Sequence, residues 1–267
     1  MLIEPRTDLP TIVESEFVFK NIKTKIVLTS CDGKDQVSHS LNDHGWKNYE
    51  SPLPLIVANL VSKRDSIFLD IGANTGYYSL IAALAGSKEV RAYEPVPYVM
   101  EILESNILMN SATINKIKTF EVAIANANGR KTLYMPSADH GLIEMSASLN
   151  QDFRKVHSNK FEVNCITLDS HLESYPIPNG QRIILKIDVE SLELDVLRGS
   201  AKAIKTLRPL IILEILPETD EACYYEWAYK NNYEHCVLSP PNSVLRTKSI
   251  KGINGFYNHL FFPYEKP

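Results

Sequence analysis

Asp70, Gly72 and Gly76 form an Asp-x-Gly-x-x-x-Gly pattern. Glycine reaches backbone angles that other residues avoid and leaves room for a ligand against the main chain, so the pattern suits a cofactor cradle. The acid at its head decides which cofactor. A dinucleotide site has glycine there and rests a pyrophosphate on the following helix N-terminus. Asp70 would repel that anion, whereas its charge is useful beside a cation. The loop therefore favours S-adenosylmethionine, with its sulfonium and ammonium groups, over a nicotinamide dinucleotide. Glu94 follows the run Glu89-Val90-Arg91-Ala92-Tyr93, where a carboxylate can accept both hydroxyls of a ribose. Ala73, Asn74, Tyr77 and Pro95 flank these positions and join the expected cofactor set. Small Ala123 would let a flat adenine approach.

A second group could do acid and base work. Lys186, Asp188 and Glu190 alternate at the end of an apolar run, and Glu214 ends another. Charged side chains at the carboxyl edges of strands stand where open α/β sheets bind ligands. Asp188 also belongs to the cofactor set by its place at that edge. A loop followed by a returning strand would bring His259 to the same face. Asp188, Glu214, His259 and Glu190 are thus candidate bases or polar anchors, with Lys186 as a charge partner. Tyr49 and Glu50, on a connector entering the core, and Ser146 and Ser148, in a polar connection at Asp139–Asn150 that could act as a lid, are candidate acceptor contacts.

The elements that must position these groups follow from periodicity. Ile67 to Asp70 is a buried strand, then a tight turn, then a helix start at Tyr77. Residues 16–30 alternate apolar and polar around Asn21-Ile22-Lys23, a two-stranded hairpin that needs the main domain to pack on. Helices are expected at Leu55–Lys63, Val99–Leu108 closed by a left-handed Asn110, Leu192–Arg198 and Asp220–Lys230. Further strands are expected at Phe120–Ile124, at Arg130–Met135, from Arg182 to an end in Lys186-x-Asp188-x-Glu190, and at Leu210–Ile215, Tyr233–Leu238 and Asn258–Phe262, with a loop at Ser239–Tyr257. The simplest division is an N-terminal extension over residues 1–50 and a main domain over 51–267.

The 267 residues, 44% of them hydrophobic, suffice for a full core. Net charge is −4 with both signs interspersed, which disfavours a nucleic-acid face; the basic run Arg246 to Lys251 reads as a solvated loop. No apolar run is long enough to span a membrane, and Met1 to Arg6 lacks the apolar core of a signal peptide. The four cysteines, Cys31, Cys165, Cys223 and Cys236, are scattered without a Cys-x-x-Cys pair, so reduced thiols and a cytoplasmic setting are expected, with no zinc site and no diagnostic metal spacing. Oligomeric state leaves no mark on the sequence.

Phe68 to Leu80, Ala92-Tyr93-Glu94-Pro95, Leu185 to Glu190 and Leu213-Glu214-Ile215 resemble, in order and spacing, the motifs of the FkbM-type methyltransferases. The likeness covers about residues 50–215. It implies an α/β fold of the class I methyltransferase, Rossmann-like kind: a seven-stranded, mostly parallel sheet with an antiparallel last strand. It also implies S-adenosylmethionine as donor and a small-molecule, glycan or peptide acceptor. Family members act mostly on hydroxyls of sugars, glycans and polyketide-type products, so O-methylation is the expectation. N-methylation of a peptide or protein amide is the alternative. From other classes come a nicotinamide-dependent oxidoreductase and a non-catalytic Rossmann-like binding protein. The family usually has glycine after Asp-Val-Glu, whereas this chain has Ser191.

Overall fold

A computed structural model describes residues 5–63, 65–136, 142, 148–150, 157–217, 219–239, 243–245, 250 and 256–264. The elements are, in order, β1 (Ile12–Phe19), β2 (Ile22–Thr29), α1 (Gln36–His44), α2 (Leu53–Val61), β3 (Ser66–Ile71), α3 (Tyr77–Leu84), β4 (Glu89–Tyr93) and α4 (Pro97–Met109). There follow β5 (Ile117–Phe120), β6 (Ala123–Ile124), β7 (Gly129–Pro136), β8 (His157–Ile166), α5 (Leu168–Ser174), β9 (Arg182–Ile187), α6 (Glu193–Arg198) and α7 (Ala201–Leu207). The chain continues through β10 (Leu210–Glu214), α8 (Glu221–Asn231), β11 (Tyr233–Ser239), β12 (Ser243–Leu245) and β13 (Asn258–Pro263). Among the described residues no helix is long and apolar enough to cross a membrane.

The main sheet runs β12-β11-β13-β10-β9-β3-β4-β5. Strands β5, β4, β3, β9 and β10 pair in parallel, and β13 lies antiparallel between β10 and β11. Those seven strands have the order and the inserted antiparallel strand of a class I methyltransferase, Rossmann-like sheet. Short β12, inside the segment expected as a loop, adds an eighth at the edge.

Period-two alternation decides which side chains meet. Phe68, Ile184 and Ile212 belong to one apolar cluster, with α2 and α3. Ile67, Leu69, Ile183, Leu185, Ile211 and Leu213 belong to a second, on the opposite face. By the same alternation Asp70, Lys186, Asp188 and Glu214 share the first face, and Asp70 is the register partner of Lys186.

Two local departures from the sequence expectation have physical causes. The run expected as one strand at Phe120–Ile124 divides: β5 ends at Phe120, while Ala123 and Ile124 pair with β8 in a separate three-stranded sheet, β6-β8-β7. Strand β8 has its own alternation, with Val163 and Cys165 buried. Asn110 is not left-handed but sits at φ −106, because its amide is used elsewhere. It accepts from Val27 N–H at 3.0 Å and donates to Val27 C=O at 2.7 Å, holding the outer edge of the hairpin to α4.

The hairpin shares its core with the main sheet's helices. Phe17, Ile26 and Leu28 are fully buried in the cluster that contains Leu80, Ile81 and Leu103, and the Phe17 and Trp46 rings lie 4.4 Å apart. Burying side chains of this size contributes about 1.5–3 kcal/mol each.

Candidate active site

A cavity of about 170 Å³ opens at the carboxyl edges of β3, β4, β9 and β10. Its first wall is the loop between β3 and α3. Gly72 and Ala73 both donate to Tyr93 C=O, at 3.1 and 3.0 Å, so the loop folds over the end of β4. Gly72 has φ +76, and a Cβ there would lie 1.8 Å from Asp188 C=O. Glycine is therefore required by both angle and contact. Asn74 follows at φ 52, a conformation its short polar side chain tolerates.

Glu94 ties this loop to the next strand. One carboxylate oxygen accepts from Asn74 N–H at 3.0 Å, the other from Val96 N–H at 2.9 Å. Each oxygen keeps a lone pair for a further donor. Burial pushes the Glu94 carboxyl up to about 7 despite those two bonds. Beside it Tyr93, Pro95, Ala123 and Leu133 line an apolar slot.

The other end of the cavity is acidic. Asp188 and Glu214 end neighbouring strands, and Glu50 enters from the segment before α2 at φ 51. Lys186 Nζ lies 2.9 Å from Asp188, 3.9 Å from Asp70 and 5.0 Å from the Tyr78 ring centroid. Burial alone would lower the Lys186 ammonium, but Asp188, Asp70 and Glu50 outweigh it and raise it. Burial and the adjacent Asp188, Glu190 and Glu50 carboxylates hold Glu214 well above the usual carboxylate range. Glu50 accepts from Tyr78 Oη at 2.7 Å. Enclosure in the cavity and then Asp188 raise its carboxyl too.

Of the residues singled out from sequence, the cavity is lined by Gly72, Ala73, Asn74, Glu94, Pro95 and Ala123 at one end, with Tyr77 beside Tyr49, their ring centroids 5.6 Å apart. At the other it is lined by Tyr49, Glu50, Lys186, Asp188, Glu190 and Glu214. Asp70 and Gly76 stand behind the wall. Asp70 is fully buried; one oxygen accepts from Ser79 Oγ at 2.7 Å and the other has no hydrogen-bond partner. Burial raises its carboxyl, with Lys186 opposing. Ser148 is buried and donates to Glu190 C=O at 2.7 Å, bracing the wall instead of lining it. Ser146 and most of the expected lid lie outside the described residues, as does most of the Arg246 to Lys251 run.

The structure does not bring His259 to the cavity. In the β10–β13 register it pairs with Leu213, while Asn258 pairs with Glu214. Paired residues share a face, so His259 falls on the far side of the sheet. There it is fully buried, neither ring nitrogen has a hydrogen-bond partner, and burial with the nearby His235 pushes its pKa down to about 3.

Sequence reading assigned no role to Tyr78, Thr75, Lys131 or Glu193. Tyr78 lay inside the quoted motif, but its bond to Glu50 spans 28 residues. Glu193 is buried and accepts from Val189 N–H at 3.1 Å, steadying the turn through Glu190 and Ser191. That turn is left-handed at both residues, with Ser191 at φ 79. Ser191→Gly is expected to relieve the backbone cost and raise stability by about 0.5–1 kcal/mol. Loss of the Asn150 bond to Ser191 Oγ at 3.1 Å limits the gain. Thermal melting checks this; an unchanged or lower midpoint would contradict it.

The donor set fits S-adenosylmethionine: a paired-oxygen acceptor beside a glycine-floored loop, and an apolar slot. Among the described residues no group of three or more His, Cys, Asp or Glu side chains is placed to hold a metal ion.

Comparison with known proteins places these features in a family. The Methyltransferase FkbM domain model matches residues 70–235. Methyltransferase sdnD of Sordaria araneosa is 28% identical over 166 residues, covering 54% of this chain and 62% of that protein. AMB antimetabolite synthetase AmbE of Pseudomonas aeruginosa is 29% identical over 192 residues, covering 61% of this chain but 9% of that protein. The chain thus spans less than two thirds of either relative. A solved FkbM methyltransferase from Methylobacillus flagellatus KT covers 74% of this chain and 44% of its own, at 16% identity and a TM-score of 0.49. A domain match that takes in both the glycine loop and the acid-ended strands, over more than half of the chain, makes this protein a member of the FkbM methyltransferase domain family.

Proposed function

We propose that the protein transfers a methyl group from S-adenosylmethionine to a hydroxyl of a sugar, glycan or natural product. The observation that carries this is the continuity of one cavity from the Glu94 carboxylate and glycine loop to the cluster of Glu50, Asp188 and Glu214. When bound, the cofactor supplies a methyl already activated on a sulfonium. The protein's own task is to orient the acceptor, keep water out and take a proton.

Glu94 accepts the ribose hydroxyls while its two backbone bonds keep the loop shut. Asp188, balanced by Lys186 and beside Glu214, receives the hydroxyl proton. An alcohol is a weak acid, and a positioned base accelerates its loss by about 10²–10⁴. Glu50 and Tyr49 border the acceptor's approach, and Tyr78 fixes Glu50. Four free thiols support a reducing, cytoplasmic setting.

Incubation with methyl-labelled S-adenosylmethionine and fractionated metabolite and glycan extracts tests the reading. Label on hydroxyl-bearing compounds, with the added mass of one CH₂ group, is the expected result. Label on a peptide nitrogen would replace the acceptor assignment, and binding of a nicotinamide dinucleotide in preference would overturn the donor.

Glu94→Ala is expected to weaken donor binding by roughly tenfold or more, the loss of one or two charge-assisted hydrogen bonds. Ribose hydroxyls donate more strongly to the ionised carboxylate, so binding lowers the carboxyl pKa that burial pushes up to about 7. Affinity should therefore fall as pH drops below about 7, and Glu94→Ala should flatten that slope. Calorimetry from pH 6 to 8 reads both; a pH slope unchanged in the variant would remove Glu94 from the ribose site.

A further inference from the structure

Asn106 is fully buried on α4, and its amide is spent on two main-chain groups from distant segments. Its Oδ1 accepts from Thr29 N–H at 2.9 Å, at the end of β2. Its Nδ2 donates to Thr75 C=O at 2.8 Å, in the wall of the cavity. One partner can only donate and the other only accept, so the orientation of the amide is fixed by chemistry. Thr75 lies between left-handed Asn74 and left-handed Gly76. Thr75 is among the residues that line the cavity, and its hydroxyl is buried without a hydrogen-bond partner. Asn74 is held from the other side by Glu94. The loop is thus clamped at two consecutive residues, by Glu94 from the sheet and by Asn106 from the hairpin side.

We infer that Asn106 is a positioning residue that couples the docked β1–β2 hairpin to the donor loop and aims the Thr75 hydroxyl at the bound cofactor. The inference rests on the donor reading of the cavity. A buried polar group left without its partner is costly, so the Thr75 hydroxyl is satisfied when the site fills. Rotation of the Thr75 peptide, once Asn106 lets go, carries that hydroxyl away. Asn110 provides an internal comparison. It grips the same hairpin through Val27 but makes no bond to the loop.

The test measures S-adenosylmethionine binding by calorimetry, and melting temperature, on the full chain. The variants are Asn106→Asp, which keeps the acceptor for Thr29 and loses the donor to Thr75, Asn110→Ala, and Thr75→Val. Asn106→Asp and Thr75→Val should each raise Kd about tenfold, while Asn110→Ala lowers the melting temperature and leaves Kd within about twofold. In turnover, the same two variants should raise KM for the donor with little change in kcat. Asn106→Asp binding as the wild type does, or Asn110→Ala weakening binding equally, would overturn the inference. If Asn106→Asp does not fold, a folded Thr75→Val with wild-type Kd overturns it. Failure of the wild-type protein to bind the donor would instead sink the donor reading, and this inference with it.

Discussion

Asp188→Asn is expected to lower kcat by about 10²–10⁴ and to leave donor affinity unchanged, because the substitution keeps shape and removes only the group that accepts the proton. The amide also breaks the pairing that surrounds it. Lys186 loses its 2.9 Å ionic partner and keeps Asp70 at 3.9 Å, and Glu214 loses the carboxylate charge beside it. Single-turnover rates separate this from a binding defect. Unaltered turnover would remove Asp188 from the chemistry, and a large loss of donor affinity would make it a binding residue instead.

The second large effect is structural. Gly72→Ala should destabilise the protein by about 3 kcal/mol or more and abolish most donor binding. A Cβ at this position would overlap Asp188 C=O at 1.8 Å on a backbone already at φ +76. Neither side can yield cheaply. Asp188 N–H is bonded to Ile71 C=O at 3.0 Å, so retreat of the β9 end would pull Asp188 off Lys186. Retreat of the loop would break the bonds to Tyr93. A drop in melting temperature of roughly 6–12 °C is the expected reading; a variant that melts with the wild type would show that the contact relaxes.

Both predictions concern residues whose surroundings were legible in the sequence. Apolar runs ending in acids announce parallel strands with their carboxyl edges at a site, and glycine after Asp70-Ile71 announces a turn that needs an unusual angle. What could not be read was anything set by pairing across the fold. His259 is misplaced by one residue of parity: the β10–β13 register faces Asn258, not His259, toward Glu214. Ala123 lines the cavity, but from the second sheet, a division that the continuous run from Phe120 to Ile124 hides. Asn110 suited a helix end by its local chemistry, yet its amide serves Val27, 83 residues away. The bond between Tyr78 and Glu50 is of the same kind, a contact between two locally unremarkable residues.

Asn106 and Asn110, two residues by which α4 holds the hairpin, meet it at peptide groups, those of Thr29 and Val27. An attachment of that kind is blind to side-chain identity along the outer edge of β2. The leading segment, which also delivers Tyr49 and Glu50, lies before the matched stretch of residues 70–235, and its exposed positions are free to vary while Phe17, Ile26 and Leu28 keep their places in the shared core. Changes at those exposed positions are expected to reshape the mouth of the cavity beside Tyr49 and Glu50 without disturbing the loop between β3 and α3.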